Sequence, residues 1–188
     1  GFLEQSHISG GRTPTDKGYR FFVDRLFEEG DLAVKEKKIL EIFDSIFSRV
    51  KNILRISQEV AHALSFLSDN LCFAWIEDYD VFLKEGWEEV AMAPEFKNID
   101  YFKKFTEFVN DFEEKLKGLS FNKGERIRIY IGQESPFKNK EFSVILGQPL
   151  NSVKAQERPT FAILGPKRMD FRRNIALLNS VIETLENY

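Results

Sequence analysis

Apolar residues recur at alternating spacings of four and three along residues 32–67, and this repeat constrains the fold more than any other feature of the sequence. Such a heptad repeat predicts one long amphipathic helix over residues 32–68, with an apolar seam along one side. A second set of apolar residues widens that face, so the helix can also pack on the core of its own domain. The seam is formed by Ile39, Phe43, Ile46, Val50, Ile53, Val60, Leu64 and Leu67, and Ser57 interrupts it.

Two interpretations of this seam stay open. In one, the seam pairs with the same helix of a second chain and forms a homodimer, and in the other it lies on the chain's own core. Replacement of both residues, Ile46→Lys with Ile53→Lys, would give a monomer in the first case and an unfolded chain in the second. The candidate dimerisation residues are Phe43, Ile46, Val50, Ile53 and Val60.

The rest of the chain alternates between strand-like and helix-like patterns. In residues 126–131 isoleucine alternates with polar residues, which is typical of a strand buried on one face. Strands are predicted at 71–76, 81–83, 126–131, 142–146 and 160–164, and helices at about 14–27, 99–117 and 169–185. A sheet flanked by long helices puts the chain in the α+β class.

Composition limits the classes of function. The formal net charge of -3 argues against an electrostatic grip on nucleic acid along the whole chain, although it allows a local contact. The single cysteine, Cys72, excludes an intrachain disulfide and fits a reducing cytoplasm. No apolar run approaches the roughly 20 residues of a membrane-spanning helix, and no signal peptide opens the chain. We therefore expect a cytoplasmic protein without membrane contact.

Residues suited to catalysis or metal binding are scarce. The two histidines, His7 and His62, are far apart in sequence, and Cys72 is expected to be a small buried hydrophobe. No His or Cys spacing is typical of a metal site, so we expect neither enzymatic activity nor a metal or other cofactor. The segment Gly165-Pro166-Lys167-Arg168 could hold an anion at a helix start, but a plain strand-to-helix turn is the simpler interpretation.

The first 28 residues have the layout of a wing, a short hairpin that contacts DNA beside a recognition helix. A strand over residues 1–8 leads to a Gly10-Gly11-Arg12 turn, and Thr13 is a candidate cap of the helix that follows. Arg12 at the tip suits a phosphate or minor-groove contact. On composition alone, an ordinary capped turn is the simpler interpretation. The candidate DNA-binding residues are Ser9, Gly10, Gly11, Arg12, Thr13, Lys17 and Arg20.

Two longer motifs resemble the signatures of one family. Residues 7–24, HISGGRTPTDKGYRFFVD, are similar to the His-Thr-Ser-Ala-Gly-Arg and Pro-Thr-Asp-x-Gly-Tyr-Arg motifs of HrcA, the family of heat-inducible transcription repressors. Residues 165–171, GPKRMDF, are similar to the family's Gly-Pro-Thr-Arg-Met-Asp-Tyr motif. Shorter similarities follow in family order at 94–96, 131–134 and 143–144, and the departures at Ile8, Gly10 and Lys167 are mild.

The resemblance implies a winged-helix domain, a GAF-like domain with a mixed sheet flanked by helices, and an inserted dimerising domain. It also implies a dimeric repressor of chaperone (heat-shock) operons, which binds an inverted-repeat operator and is modulated by a GroEL-type chaperonin. Residues 1–28 would then be the C-terminal remnant of the winged helix, namely the wing and the following helix. Residues 32–68 would carry the dimer seam, and residues 69–188 would be the GAF-like domain.

The chain departs from the implied domain pattern in two places. The recognition helix would precede Gly1, and the segment between Leu67 and Pro94 is shorter than the resemblance implies. We therefore expect residues 1–188 alone to bind operator DNA weakly or not at all. The alternative function is a GAF-like ligand-sensing or protein-interaction module without DNA binding of its own, which rests on analogy between folds. A phenylalanine-lined cavity would support it, yet the 19 phenylalanines are better explained as core filling.

Overall fold

The computed structural model describes residues 1–5, 11–30, 32–34, 36–137, 139–150 and 158–187. The strands are β1 (Leu3–Glu4), β2 (Thr13–Pro14), β3 (Leu71–Ile76), β4 (Val81–Glu85), β5 (Ile127–Ile131), β6 (Phe142–Gly147) and β7 (Pro159–Pro166). The helices are α1 (Asp16–Glu29), α2 (Lys37–Arg49), α3 (Ile53–Ser68), α4 (Trp87–Met92), α5 (Ile99–Leu116) and α6 (Phe171–Asn187). These elements agree with the α+β class predicted from the sequence.

A short hairpin precedes the first helix. Strands β1 and β2 pair antiparallel, with Glu4 opposite Thr13. The sequence predicts Thr13 as the helix cap, and that detail is wrong, because Thr13 belongs to β2. Thr15 caps α1 instead, since its hydroxyl accepts a hydrogen bond from the Gly18 amide at 3.2 Å.

The long helix predicted over residues 32–68 is in fact two helices. The backbone at Val50 is extended (φ -106°, ψ 134°), which ends α2. Asn52 then caps α3, because its side-chain oxygen accepts a hydrogen bond from the Arg55 amide at 3.1 Å. The heptad spacing continues through the break because α2 and α3 bury their apolar faces in one core.

Strands β3 to β7 form one sheet in the order β4-β3-β7-β6-β5. Every neighbouring pair is antiparallel, with Phe73 opposite Ala162 and Ile145 opposite Ile163 as examples. The mixed sheet that the resemblance implies is therefore not found. Periodicity along a strand reports which face is buried and carries no information on the direction of its neighbour, so the sequence pattern does not reveal this.

Helices cover both faces of the sheet. Within β7, Phe161 and Ile163 pack into a core shared with α1, α2, α3 and α6, whereas Ala162 and Leu164 pack into a core shared with α5. This alternation follows from the pleat of the strand. Among the helices that the structure describes, none is both long enough and apolar enough to cross a membrane.

Phenylalanine fills the core on the α5 side of the sheet. The ring centroids of Phe105 and Phe142 lie 5.0 Å apart, and those of Phe73 and Phe112 lie 5.3 Å apart, both in edge-on geometry. All four side chains are buried, and aromatic pairs in this arrangement add to the stability that burial provides. The burial confirms that these phenylalanines act as core filling.

Candidate functional site

The hairpin that carries the candidate DNA contacts is only partly described. Ser9 and Gly10 lie outside the described residues, whereas Gly11 and Arg12, which precede β2, and Thr13, its first residue, are exposed. An exposed guanidinium has the charge and the hydrogen-bond donors that a DNA phosphate accepts. Arg12 is therefore chemically suited to the predicted role.

The first turn of α1 adds a second exposed cation. The Lys17 ammonium lies 5.4 Å from the centroid of the Phe2 ring, which is a cation–π distance. Lys17 itself is exposed, so it sits beside β1 at the surface. The hairpin and the start of α1 thus present an arginine and a lysine to solvent.

Strand β1 is held tightly against the start of α1. The Thr15 amide donates to the Phe2 carbonyl at 3.0 Å, and the Thr15 hydroxyl donates to the Gly1 carbonyl at 2.9 Å. A Cβ atom at Gly18 would lie 2.2 Å from the Phe2 carbonyl oxygen, which is too close for any side chain. Glycine at this position therefore permits the contact between the hairpin and the helix.

Arg20 is used inside the chain. Its Nε and one terminal nitrogen donate to the Glu134 carboxylate at 3.1 and 2.5 Å, and the same terminal nitrogen donates to the Ile129 carbonyl at 2.8 Å. The hydrogen bonds that the Arg20 guanidinium donates to the Glu134 carboxylate raise the pKa of Arg20 further. Because these donors are occupied by groups of the chain itself, Arg20 is not among the residues that we propose as DNA contacts.

Asp16 connects α1 with two turns of the sheet. Its carboxylate accepts a hydrogen bond from the Gln133 amide at 2.9 Å and forms an ion pair with the Lys167 ammonium at 2.7 Å. The backbone of Gly132 is left-handed (φ 51°), and a Cβ there would lie 2.5 Å from the Asp16 carboxylate. Only glycine fits both the backbone angle and the space.

Tyr19 packs α1 onto the start of α6. The ring centroids of Tyr19 and Phe171 lie 5.8 Å apart. Burial raises the pKa of the Tyr19 phenol, and the nearby charges of Lys167 and Arg168 oppose this effect. The phenol therefore stays neutral at physiological pH and acts as a packing group.

Three separate motifs of the sequence meet at this place, which we name the junction. It joins the first turns of α1, the turn after β5 and the turn after β7. Arg20 and Glu134, which bond across it, are 114 residues apart in the sequence. The three motifs are among those similar to the family's signatures, and their sequences predict no contact between them. The junction consists of Asp16, Tyr19, Arg20, Gly132, Gln133, Glu134, Lys167 and Phe171.

The candidate dimer seam lies inside the chain. Phe43 and Val60 are fully buried, Ile46 and Val50 are at most 7% exposed, and Ile53 is half-buried. All but Ile53 belong to the core that α2 and α3 share with the sheet and α6. Of the two interpretations of the seam, the structure thus favours packing on the chain's own core. Homodimerisation stays a prediction.

The glycine-containing turn after β7 is already neutralised by the chain's own carboxylates. Lys167 pairs with Asp16, and Arg168 pairs with Glu95 at 2.7 Å. Asp170 accepts a hydrogen bond from the Arg173 amide at 3.0 Å, so a carboxylate already occupies the start of α6. These contacts favour the plain turn over an anion-binding site.

Residues considered for catalysis or metal binding are dispersed. His7 lies outside the described residues, and the exposed His62 has its Nδ1 atom 3.5 Å from a Glu85 carboxylate oxygen. Within the described part of the chain, no cluster of three or more His, Cys, Asp or Glu side chains could hold a metal ion. Cys72 is fully buried, as expected of a small hydrophobe.

We expect the Cys72 thiol to resist modification until the chain unfolds. Burial raises the pKa of this thiol from 9.0 to about 12, so the reactive thiolate is nearly absent at pH 8. A disulfide-exchange reagent should react at least about 100-fold more slowly with the native chain than with the urea-unfolded chain. Fast modification of the native chain at pH 8 would contradict the burial of Cys72.

The same raised pKa predicts a pH dependence of stability. Above pH 9 the unfolded thiol ionises while the buried one does not, so the free energy of unfolding should fall as the pH rises from 9 towards 12.

Comparison with known proteins identifies the family. The model of the HrcA protein C-terminal domain matches residues 30–175. The heat-inducible transcription repressor HrcA of Clostridium acetobutylicum is 22% identical over 289 aligned positions, which cover the whole chain and 82% of that protein. The protein of the same name from Thermobifida fusca is 42% identical over 69 positions, which cover 32% of this chain and 20% of that protein.

The fold is also similar to a solved structure. A crystal structure of a hypothetical protein, determined at 2.2 Å resolution, superposes on this chain with a TM-score of 0.76 and 16% sequence identity, and the alignment covers 100% of this chain and 82% of the other. At this identity the similarity concerns the fold alone. The family model, in contrast, spans most of the sequence, from the end of α1 to the first turn of α6. The chain therefore belongs to the HrcA family.

Proposed function

We propose that this chain acts as part of a transcription repressor of the heat-inducible type, and that its hairpin and the first turn of α1 contact operator DNA. The observation that carries the proposal is the match to relatives named heat-inducible transcription repressor, together with a family model that matches residues 30–175. Such a protein works by binding and not by catalysis. The residues proposed to contact DNA are Ser9, Gly10, Gly11, Arg12, Thr13 and Lys17.

The geometry of the hairpin supports this role. A wing is a short antiparallel hairpin next to a helix, and β1, β2 and α1 have that arrangement. Arg12 and Lys17 are both exposed, and basic side chains on a wing bind phosphates or enter the minor groove. The acidic formal charge of -3 is compatible with such a local contact.

An exposed apolar surface lies beside the same hairpin. Phe2, Leu3, Phe21 and Phe22 are between 43% and 55% exposed, and the rings of Phe2 and Phe21 lie 5.1 Å apart. Neighbouring large apolar side chains on a protein surface often mark the place where another element or partner packs. In a winged-helix domain the remaining helices pack in this way, so the surface supports the assignment of residues 1–28 to such a domain.

We further propose that the repressor is a dimer on an inverted-repeat operator. A two-fold symmetric protein presents two equivalent DNA-binding units, and an inverted repeat presents two equivalent half-sites. Because most of the heptad residues are buried, the contact between the two chains would use another surface. Modulation by a GroEL-type chaperonin belongs to the same proposal and rests on the family resemblance.

Removal of one wing cation tests the DNA contact. In the natural gene product that contains these residues, Arg12→Ala should weaken binding to operator DNA and reduce the slope of log K against log salt by about one. Fluorescence anisotropy with a labelled operator, repeated at several salt concentrations, measures both. Arg55→Ala, which removes an exposed arginine from α3, is the control and should change neither quantity. Equal effects of the two variants would exclude a specific role for Arg12.

A further inference from the structure

We infer that Asp16 and Arg20 are positioning residues that hold the DNA-contacting hairpin at a set angle to the sheet, and that they thereby determine which half-site spacing the dimer accepts. The inference rests on the proposed function, because it concerns the same hairpin. It assigns a role to side chains that do not themselves touch DNA. Three features of the junction support it.

The first feature is a two-point attachment at the start of α1. Asp16 is the first residue of this helix, and it binds the Gln133 amide after β5 and the Lys167 ammonium after β7. The Asp16 and Lys167 side chains are only 21% and 25% exposed, so solvent and salt screen this pair less than an open surface pair. Two attachments to different turns restrict the rotation of the helix as well as its distance from the sheet.

The second feature is a planar fork one turn later. Arg20 bonds both the Glu134 carboxylate and the Ile129 carbonyl, and β5 forms an edge of the sheet. A guanidinium donates in fixed directions within one plane, so it defines an orientation in a way that a lysine ammonium cannot. Asp16 and Arg20 together thus fix α1 along its first two turns.

The third feature continues the attachment to the hairpin. The Thr15 amide and hydroxyl bind the Phe2 and Gly1 carbonyls, and Gly18 lets β1 lie directly on α1. An uninterrupted series of short contacts therefore runs from the turns after β5 and β7 to β1. A change of angle at the junction would move the hairpin with α1, which would change the separation of the two hairpins in a dimer.

The expected signature is a loss of spacing discrimination. With the natural gene product, Kd is measured for a single half-site, for the inverted repeat, and for inverted repeats with one or two inserted base pairs. Arg20→Ala and Asp16→Asn should weaken binding to the correctly spaced repeat at least about tenfold and change half-site binding less than about threefold. The two variants should bind the correctly spaced repeat no more tightly than the repeats with one or two inserted base pairs. A merely destabilised protein would lose half-site binding in equal measure.

Two further variants sharpen this comparison. The exchange Arg20→Glu with Glu134→Arg restores an ion pair across the junction without the bond to the Ile129 carbonyl, so it should recover part of the spacing preference. Lys84→Ala breaks an ion pair with Glu113 of similar exposure on the other side of the sheet, and it should leave the preference unchanged. Loss of preference in Lys84→Ala, or no recovery in the exchanged pair, would overturn the inference.

A measurement without DNA separates this inference from the proposed function. Spin labels at Arg25→Cys on α1 and Lys103→Cys on α5 report the distance between α1 and the rest of the chain, and the buried Cys72 does not compete for label. The distance distribution should be narrow in the parent, broad in Arg20→Ala and Asp16→Asn, and narrow again in the exchanged pair. An unchanged distribution overturns the positioning role. A parent that shows no operator binding, with these changes present, refutes the proposed function and the spacing role, whereas the positioning of α1 by Asp16 and Arg20 stands.

Discussion

Replacement of Gly18 by alanine should separate the hairpin from α1 and weaken operator binding at least about tenfold, which corresponds to about 1.4 kcal/mol. In an isolated helix this substitution would stabilise by about 1 kcal/mol, because alanine has the higher helix propensity. Here the new methyl group would meet the Phe2 carbonyl oxygen at 2.2 Å and the Pro14 Cβ at 3.2 Å. The backbone of β1 must therefore move away, and the hairpin loses its support.

Two measurements on the Gly18→Ala protein check this expectation. The Thr15 amide donates to the Phe2 carbonyl in the parent protein. Hydrogen exchange should show that this amide loses protection in the variant, while the sheet amides keep theirs. Gly118→Ala is the matched control, because its Cβ would lie an ordinary 3.7 Å from the nearest atom outside its neighbours. Undiminished protection at Thr15 together with wild-type operator affinity would show that the hairpin does not depend on this contact.

Replacement of Ile46 by lysine should unfold the chain without producing a folded monomer. Ile46 is 5% exposed and packs in the core shared by α2, α3 and α6, so the variant loses apolar burial and places an ammonium in an apolar site. Loss of the side chain alone costs about 2–5 kcal/mol, and the buried charge adds to that. A domain with a total stability of about 5–15 kcal/mol would lose much or all of its folded population.

The control for this variant lies one turn earlier on the same helix. Ile42 is 39% exposed, so Ile42→Lys should change the free energy of unfolding by less than about 0.5 kcal/mol. Circular dichroism during urea unfolding measures both variants, and light scattering gives their oligomeric state. A folded, monomeric Ile46→Lys protein derived from a dimeric parent would show that the seam faces a partner and would contradict the packing described above.

The comparison of α2 and α3 with the predicted long helix shows where periodicity is ambiguous. The heptad pattern runs through residues 50–52 because both helices turn their apolar faces to one core, and a pattern of burial records only that fact. A local signal of the break exists in the sequence, since Asn52 directly precedes an apolar residue and asparagine is a preferred helix cap. The heptad repeat continues across this cap, and the prediction of one long helix followed the repeat instead of the cap.

The candidate site was predictable in part. Turn residues identified the hairpin, and α1 was predicted to follow it although the cap is Thr15 and not Thr13; the exposed Arg12 and Lys17 fit that prediction. Arg20 was assigned to DNA because its charge and position on α1 suit a phosphate contact. Its actual partner, Glu134, is 114 residues away, and charge pattern along the chain does not reveal such a distance.

The sequence alone determined the class of the fold, the position of most strands and helices, and the family. These properties follow from local periodicity and from motifs, both of which are written along the chain. Only the tertiary structure decided that most of the heptad residues pack in the chain's own core, that every described strand pair is antiparallel, and that Asp16 and Arg20 bind the turns after β5 and β7. The reason is physical: hydrogen bonds and ion pairs form between groups a few ångströms apart, and which distant residues come that close depends on how the whole chain packs.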